Sequence, residues 1–267
     1  MTLEITRIQP FPDQRTAIVT GAGAERGIGR KVARKLAAEG WSIVAADLDG
    51  AAAEAFATEL AGQLPADSGQ KALGLAVDVS DQSAVDAAFV RIDAEMPPVA
   101  ALVNLAGIPS PHSIFEITAE IWDKVMDVNA KGTLLMTQAA ARRMIDGGFG
   151  GRIVNTASIT ALDGGGTFSK TGYAAAKAAI QGLTRGSARE LGPYGITANV
   201  ILPGPIDTDI MGGTLTDDRK TGMSENIPLQ RVGQPEEVAG LINFLVGEDS
   251  SYVNGTSISV DGGKHMH

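Results

Sequence analysis

The chain has 267 residues, 22 Lys plus Arg against 31 Asp plus Glu, a formal net charge of −9 and no cysteine. That acidic balance argues against nucleic acid and anionic membranes as partners. The missing cysteines remove disulfides, thiolate nucleophiles and Cys-ligated metals, and make a reducing cytoplasm the expected compartment. The histidines are His112, His265 and His267. No metal site is therefore expected, and a Ser-His-Asp hydrolase would have to rest on His112 alone.

In chain order, short β-branched runs alternate with helical periodicity. Thr16–Thr20 reads as a strand, followed by a Gly-rich turn and a helix marked by Ile28, Val32 and Leu36, with Gly40 as its stop. Ser42–Ala46 is the second strand, closed by Asp47, and an Ala-rich helix follows with Asp49 as its cap. Leu73–Val79 is the third strand; Val85, Phe89 and Ile92 stripe the next helix, which Pro97 and Pro98 end. Ala101–Asn104 and Arg152–Thr156 are strands, with the helical stripe Ile121, Val125 and Val128 between them. The long run Met96 to Phe115 is uncharged but broken by prolines, so it is no bilayer helix. Tyr173 to Leu191 is an Ala-rich helix ending at Gly192-Pro193, and Thr197–Ile201 is the sixth strand. Residues Ile206 to Val232 break the alternation; so long an irregular stretch predicts a substrate loop or lid. A helix from Glu236 to Leu245, opened by Pro235, and a strand Ser257–Val260 close the chain. Seven strands alternating with helices predict one α/β domain over residues 1–267, a Rossmann-type doubly wound parallel sheet with helices on both faces. Ligands of such sheets bind at the carboxyl ends of the strands.

The turn after the first strand reads Thr20-Gly21-Ala22-Gly23-Ala24-Glu25-Arg26-Gly27-Ile28-Gly29. Glycines there let backbone approach a pyrophosphate, and the helix N-terminus offers N–H donors and a positive dipole end. A Gly-rich turn alone is weak evidence, since many are only turns. Asp47 strengthens it: a carboxylate closing the second strand can accept from the adenosine ribose hydroxyls, beside Leu48. Asp78, with Val79, is placed to meet the adenine.

Tyr173 and Lys177 are four residues apart, one turn apart on one helix face. A tyrosine titrates near ~10 unperturbed and needs a neighbouring cation to act as a base. Such a phenol can take the proton of an alcohol or return one to a ketone. Ser158, just after the fifth strand, can hydrogen-bond the substrate oxygen. Taken singly these residues have plain structural readings: a half-buried ring beside an amine, and a cap. Glu236 and Glu237 read as a helix first turn and nothing more.

In order, the Gly-rich turn, Asp78-Val79, Asn104-Leu105-Ala106-Gly107, Asn129, Ser158, Tyr173-Ala174-Ala175-Ala176-Lys177, Pro203-Gly204-Pro205-Ile206-Asp207-Thr208 and Val260-Asp261-Gly262-Gly263 resemble the short-chain dehydrogenase/reductase family over essentially the whole chain. The resemblance implies hydride transfer between NAD(H) and a secondary alcohol or ketone, with Asn129, Ser158, Tyr173 and Lys177 catalytic. It implies a cofactor site formed by Gly21, Gly23, Arg26, Gly27, Ile28, Gly29, Asp47, Leu48, Asp78, Val79, Asn104, Ala106, Gly107, Tyr173, Lys177, Pro203, Gly204, Ile206 and Thr208. It assigns Lys177 also to the nicotinamide ribose, and Asn129 to a water that relays protons. It also implies a homotetramer. Expected substrate contacts are Ser158, Ile108, Leu162, Phe168 and Met211, with Pro109, Ile159, Ile210 and Met223 near them and His112 a bystander or a contact. Two features depart from the family pattern: the Gly21-to-Gly27 turn is longer by two residues, and the Ser158–Tyr173 stretch, which holds Gly164-Gly165-Gly166, is also longer.

Two other readings compete with an NAD-dependent alcohol dehydrogenase or ketoreductase. An NADPH-dependent 3-oxoacyl-carrier-protein reductase would share these motifs. Against it, Asp47 repels a 2′-phosphate unless Arg26 offsets it, and acyl carrier proteins are acidic like this chain. The other is a non-catalytic dinucleotide-binding scaffold on the same fold.

Overall fold

The computed structural model describes residues 11–166, 169–209 and 216–266. Seven parallel strands form one sheet in the order β3-β2-β1-β4-β5-β6-β7. They are β1 (Thr16–Thr20), β2 (Ser42–Asp47), β3 (Ala72–Ala76), β4 (Val99–Asn104), β5 (Gly151–Thr156), β6 (Ile196–Pro203) and β7 (Ser257–Val260). Successive side chains on a strand point to opposite faces. Accordingly Ala17 and Val19 of β1 enter one core with Ala101 and Val103 of β4, while Ile18 and Leu102 enter the other.

Helices cover both faces. The first core takes Val32 and Leu36 from α1 (Ile28–Ala38), Phe56 and Leu60 from α2 (Gly50–Ala61), and Ile242 and Leu245 from α9 (Pro235–Val246). The second takes Phe89 and Ile92 from α3 (Gln82–Glu95), Met136 and Met144 from α5 (Gly132–Gly147), and Ala188 from α7 (Thr171–Leu191). Between α3 and α5 lies α4 (Ala119–Met126), and α6 (Thr160–Asp163) precedes α7.

Several elements differ from the sequence expectation. β3 stops at Ala76, not Val79, so Asp78 lies beyond the strand end. β5 ends at Thr156, where the sequence places it, two residues before Ser158. Helix α5 has no clear apolar stripe to announce it, because its buried face mixes Thr133, Thr137, Gly132 and alanines with two methionines. Residues 206–232 are not wholly irregular: Asp217–Ser224 is helix α8, polar enough to read as loop. The ends of that stretch are joined by a backbone bridge, Ile206 to Gly233.

Strand order reverses between β1 and β4, which are neighbours in the sheet. A crevice opens there at the carboxyl ends of the strands. Thr20 Oγ1 fixes its floor, accepting from the N–H groups of Leu105 and Ala106, both at 3.0 Å.

Candidate active site

A cavity of about 790 Å³ fills that crevice. One end is formed by Gly21, Ala24, Gly27, Ile28, Gly29, Asp47, Leu48, Val77, Asp78 and Val79, the middle by Ala106, Gly107, Pro203–Ile206 and Thr208, and the other end by Ser158, Tyr173, Lys177, Ile108 and Ile159.

Glycine is required where backbones meet. Gly21 has φ +69°, and a Cβ there would stand 3.0 Å from the Ala106 nitrogen. A Cβ on Gly29 would come within 2.4 Å of the Gly21 carbonyl oxygen. The longer turn folds back on Asp47: Gly23 N–H donates to Asp47 Oδ2 at 2.7 Å, and Asp49 N–H to Oδ1 at 3.1 Å. A carboxylate offers about four acceptor positions, so Asp47 keeps capacity toward the cavity. Asp49 caps α2 by accepting from Ala52 N–H at 3.0 Å. Asp78 accepts from the Ser80 hydroxyl and N–H, at 2.6 and 2.9 Å, and these bonds hold its carboxyl below the usual range.

Three expected cofactor residues stand elsewhere. Gly23 lies against Asp47, its N–H turned to that carboxylate, and does not line the cavity. Asn104 is 4% exposed and donates to Asn155 Oδ1 at 2.9 Å; Asn155 donates to Thr184 Oγ1 at 3.0 Å. It therefore braces β4, β5 and α7 beneath the cavity floor. Arg26 points across the cleft, with Nη2 3.1 Å from Asp207 Oδ1 and Nε 3.3 Å from Asp209 Oδ1.

At the opposite end, Tyr173, Ser158 and Lys177 line the cavity together. Ser158 Oγ donates to Thr160 Oγ1 at 3.1 Å. Lys177 Nζ donates to the Thr156 carbonyl at 2.9 Å and lies 5.3 Å from the Tyr173 ring centre. Burial disfavours charge on both. It pushes the Tyr173 phenol up to about 12, against the lowering effect of Ser158, and brings Lys177 down to about 8. Asn129 sits in a π-helical stretch, Asp127–Lys131, between α4 and α5. Such wide turns recur at functional sites. Its amide donates to the carbonyls of Val125 and Ile108, at 2.9 and 3.0 Å, while Oδ1 is buried without a partner. Gly107 keeps the space beside it open: a Cβ there would be 2.6 Å from Asn129 Oδ1 and 3.4 Å from Lys177 Nζ.

Of the expected substrate contacts, Ile108 and Ser158 line the cavity, whereas Phe168 and Met211, like Ile210, lie outside the described residues. Leu162 is 39% exposed on α6 and does not line it; that short helix turns its side chain outward. His112 also stays outside, with Nδ1 3.4 Å from Ser110 Oγ. Pro109, Ile159 and Met223 do line the cavity, joined by Thr160, Asn226, Lys124, Val128 and Lys264, which no motif in the sequence marks. Glu237 does more than sit in a first turn: it accepts from Gln234 N–H in a capping box and pairs with both Arg231 Nη atoms at 2.7 Å. Among the described residues no group of three His, Asp or Glu is placed to hold a metal, and no helix is long and apolar enough to cross a membrane.

Fold and site define an oxidoreductase of the doubly wound α/β class, with a cradle that fits a nicotinamide dinucleotide. The chain belongs to the short-chain dehydrogenase/reductase family. Residues 21–265 match the family described as enoyl-(acyl carrier protein) reductase. The chain is 40% identical over 253 residues to a (3R)-3-hydroxyacyl-CoA dehydrogenase of Rattus norvegicus, covering 94% of this chain and 96% of that protein. It is 36% identical over 252 residues to the 3-oxoacyl-[acyl-carrier-protein] reductase MabA of Mycobacterium tuberculosis, covering 94% and 93%. The crystal structure of a short-chain type dehydrogenase/reductase from Mycobacterium marinum superposes with TM-score 0.87 at 33% identity, over 99% of this chain and 100% of that one. The protein is thus an oxidoreductase acting on CH–OH groups with NAD or NADP.

Proposed function

We propose that the protein is an NAD-dependent dehydrogenase/reductase that interconverts a 3-hydroxyacyl thioester and its 3-oxoacyl counterpart. The observation that carries the reaction type is the grouping of Ser158 and Tyr173 with buried Lys177, which donates to the Thr156 carbonyl at 2.9 Å, at one end of a dinucleotide-shaped cavity. A bound nicotinamide supplies the hydride donor or acceptor. Ser158 donates to the substrate oxygen, and Tyr173 delivers a proton to that oxygen in reduction or removes one in oxidation. With the phenol near 12, Tyr173 is already protonated at neutral pH, which suits reduction. Oxidation requires the phenolate, so its rate rises with pH. The gap between Asn129 Oδ1 and Lys177 Nζ, kept open by Gly107, is the proposed route by which Tyr173 exchanges its proton with solvent.

Preference for NAD is supported at the other end. Asp47 faces the cavity, and a 2′-phosphate there would meet its carboxylate. Of the nearby arginines, Arg30 donates to the Gly23 carbonyl at 2.7 Å and stacks 4.9 Å from the Phe56 ring, and Arg26 is paired with Asp207 and Asp209. The proposed cofactor contacts are Gly21, Gly27, Ile28, Gly29, Asp47, Leu48, Asp78, Val79, Ala106, Gly107, Pro203, Gly204, Ile206 and Thr208, with Tyr173 and Lys177. The thioester substrate is supported by the names of the two relatives and by the mixed lining of Ile108, Pro109, Ile159 and Met223 with Ser169 and Asn226.

The test is reduction of acetoacetyl-CoA, of a carrier-protein-bound 3-oxoacyl chain and of simple ketones, each with NADH and with NADPH. NADH should win by at least ~100-fold in kcat/KM, a difference of about 3 kcal/mol. Equal use of NADPH would refute the Asp47 reading. Turnover only on the carrier protein would favour the reductase alternative, and NADH binding without turnover on any substrate would favour a scaffold.

A cytoplasmic homotetramer formed by the single domain is part of this proposal. Ala175 and Ala179 are half-buried on α7 while Gly182 and Gly186 stand open, and β7 leaves Ile258 and Val260 half-exposed at the sheet edge. Such faces support close packing against further copies. A monomeric mass at micromolar concentration would refute it.

A further inference from the structure

Arg26 closes the Gly-rich turn, yet its partners lie 181 and more residues away, on the other wall of the cleft. Its Nη2 donates to Asp207 Oδ1 at 3.1 Å. Its Nε lies 3.3 Å from Asp209 Oδ1, an ion-pair distance without hydrogen-bond alignment. The second oxygen of Asp207 is 2.6 Å from Lys220 Nζ, which comes from α8. Two cations and two carboxylates therefore form one neutral cluster, joining the Gly-rich turn, the strand-end segment and α8.

This differs from an ordinary surface pair in its burial. The Asp207 side chain is 8% exposed, and a carboxylate so desolvated needs its cations. The backbone beneath it is fixed: Asp207 N–H donates to the Gly233 carbonyl and Gly233 N–H to the Pro205 carbonyl, each at 2.9 Å. The cluster also straddles the cavity. Gly27 lines one side; Ile206, Thr208, Asp209, Gly222 and Met223 line the other.

We propose that Arg26 is a positioning residue that clasps the substrate segment across the cofactor crevice, with Lys220 tying α8 to the same carboxylate. This rests on the reading of the cleft as a dehydrogenase site. The clasp sets Met223 and Asn226 over the substrate end, and it engages the arginine that a 2′-phosphate would otherwise recruit.

Arg26→Gln, Asp209→Asn and the double variant test it by three readouts. For acetoacetyl-CoA reduction, Arg26→Gln should raise substrate KM by ~10-fold or more with kcat within ~3-fold, the pattern of lost ground-state positioning. The dissociation constant for NADH should stay within ~3-fold, and hydrogen exchange of Asp207–Asp209 and α8 should quicken by ~10-fold while α1 is unchanged. The double variant should be little worse than Arg26→Gln, because one cluster is broken once. Arg26→Lys should restore part of the effect, since one ammonium cannot span two carboxylates as Nε and Nη2 do. Additive effects in the double variant overturn the clasp. So does NADH affinity that falls ~10-fold with exchange unchanged, which would place Arg26 on the cofactor. Exchange and NADH binding need no substrate, so failure of the thioester reading is seen separately.

Discussion

The two ends of the cavity are built by opposite means. At the end proposed for adenosine, backbone N–H groups donate to carboxylates: Gly23 and Asp49 to Asp47, and Ser80 to Asp78. At the reacting end side chains donate to backbone carbonyls: Lys177 to that of Thr156, and Asn129 to those of Val125 and Ile108. The first end recognises a ligand with backbone and one carboxylate, whose chemistry survives in almost any precise context. The second depends on side chains whose ionisation burial has displaced, so its chemistry exists only when the fold is complete.

The comparison breaks first at Tyr173. Tyr173→Phe keeps the ring but removes the hydroxyl, so turnover should fall at least ~100-fold. NADH titration should show binding retained, because the adenosine end is untouched; near-native turnover would refute the mechanism. Of similar size is Asp47→Ala at the other end. It should shrink a ~100-fold preference for NAD to within ~10-fold, by improving NADP use and weakening NAD, while acetoacetyl-CoA KM changes little. Parallel loss of both cofactors would mean that Asp47 only holds the Gly-rich turn.

Lys177→Met sharpens the contrast through stability. The Lys177 pKa in the folded chain is about 8, below the ~10.4 of an unfolded lysine. Between those values the unfolded chain holds the extra proton, so wild-type stability rises with pH there, and below about 8 the buried cation is a standing cost. The variant should lose activity yet melt no lower than wild type at pH ~7, and that advantage should shrink toward pH ~10. A clear fall in Tm at neutral pH would show that the bond to Thr156 outweighs burial of the charge. The smallest effect is Leu162→Ala. With its side chain turned away from the cavity, KM for acetoacetyl-CoA should move by less than ~2-fold. A larger change would return Leu162 to the substrate site.

Much of the fold was legible because its signals are local. The seven strands announce themselves as short apolar runs, and the stops at Gly40 and Pro97-Pro98 follow from backbone constraints. Where the buried face is small or polar the signal fades: Thr133, Thr137 and the alanines hid α5, and the polarity of Asp217–Ser224 hid α8. The resemblance placed Ser158, Tyr173 and Lys177 at one site through residue type and order. It could not show that Asn104 turns into the Asn155–Thr184 network, because a polar side chain at a strand end has two faces to choose from.

By itself the sequence determined the alternation, the parallel sheet, the glycine cradle and the inventory of reactive groups, since each rests on periodicity, backbone freedom or side-chain chemistry within a few residues. Only the tertiary structure decided the partner of Arg26, the inward turn of Gly23 and the outward turn of Leu162. It also brought the phenol at 173 to about 12 and the amine at 177 to about 8. Those depend on what chain segments far apart in sequence place beside one another, and on how much water they exclude, and neither quantity is carried by any single stretch of residues.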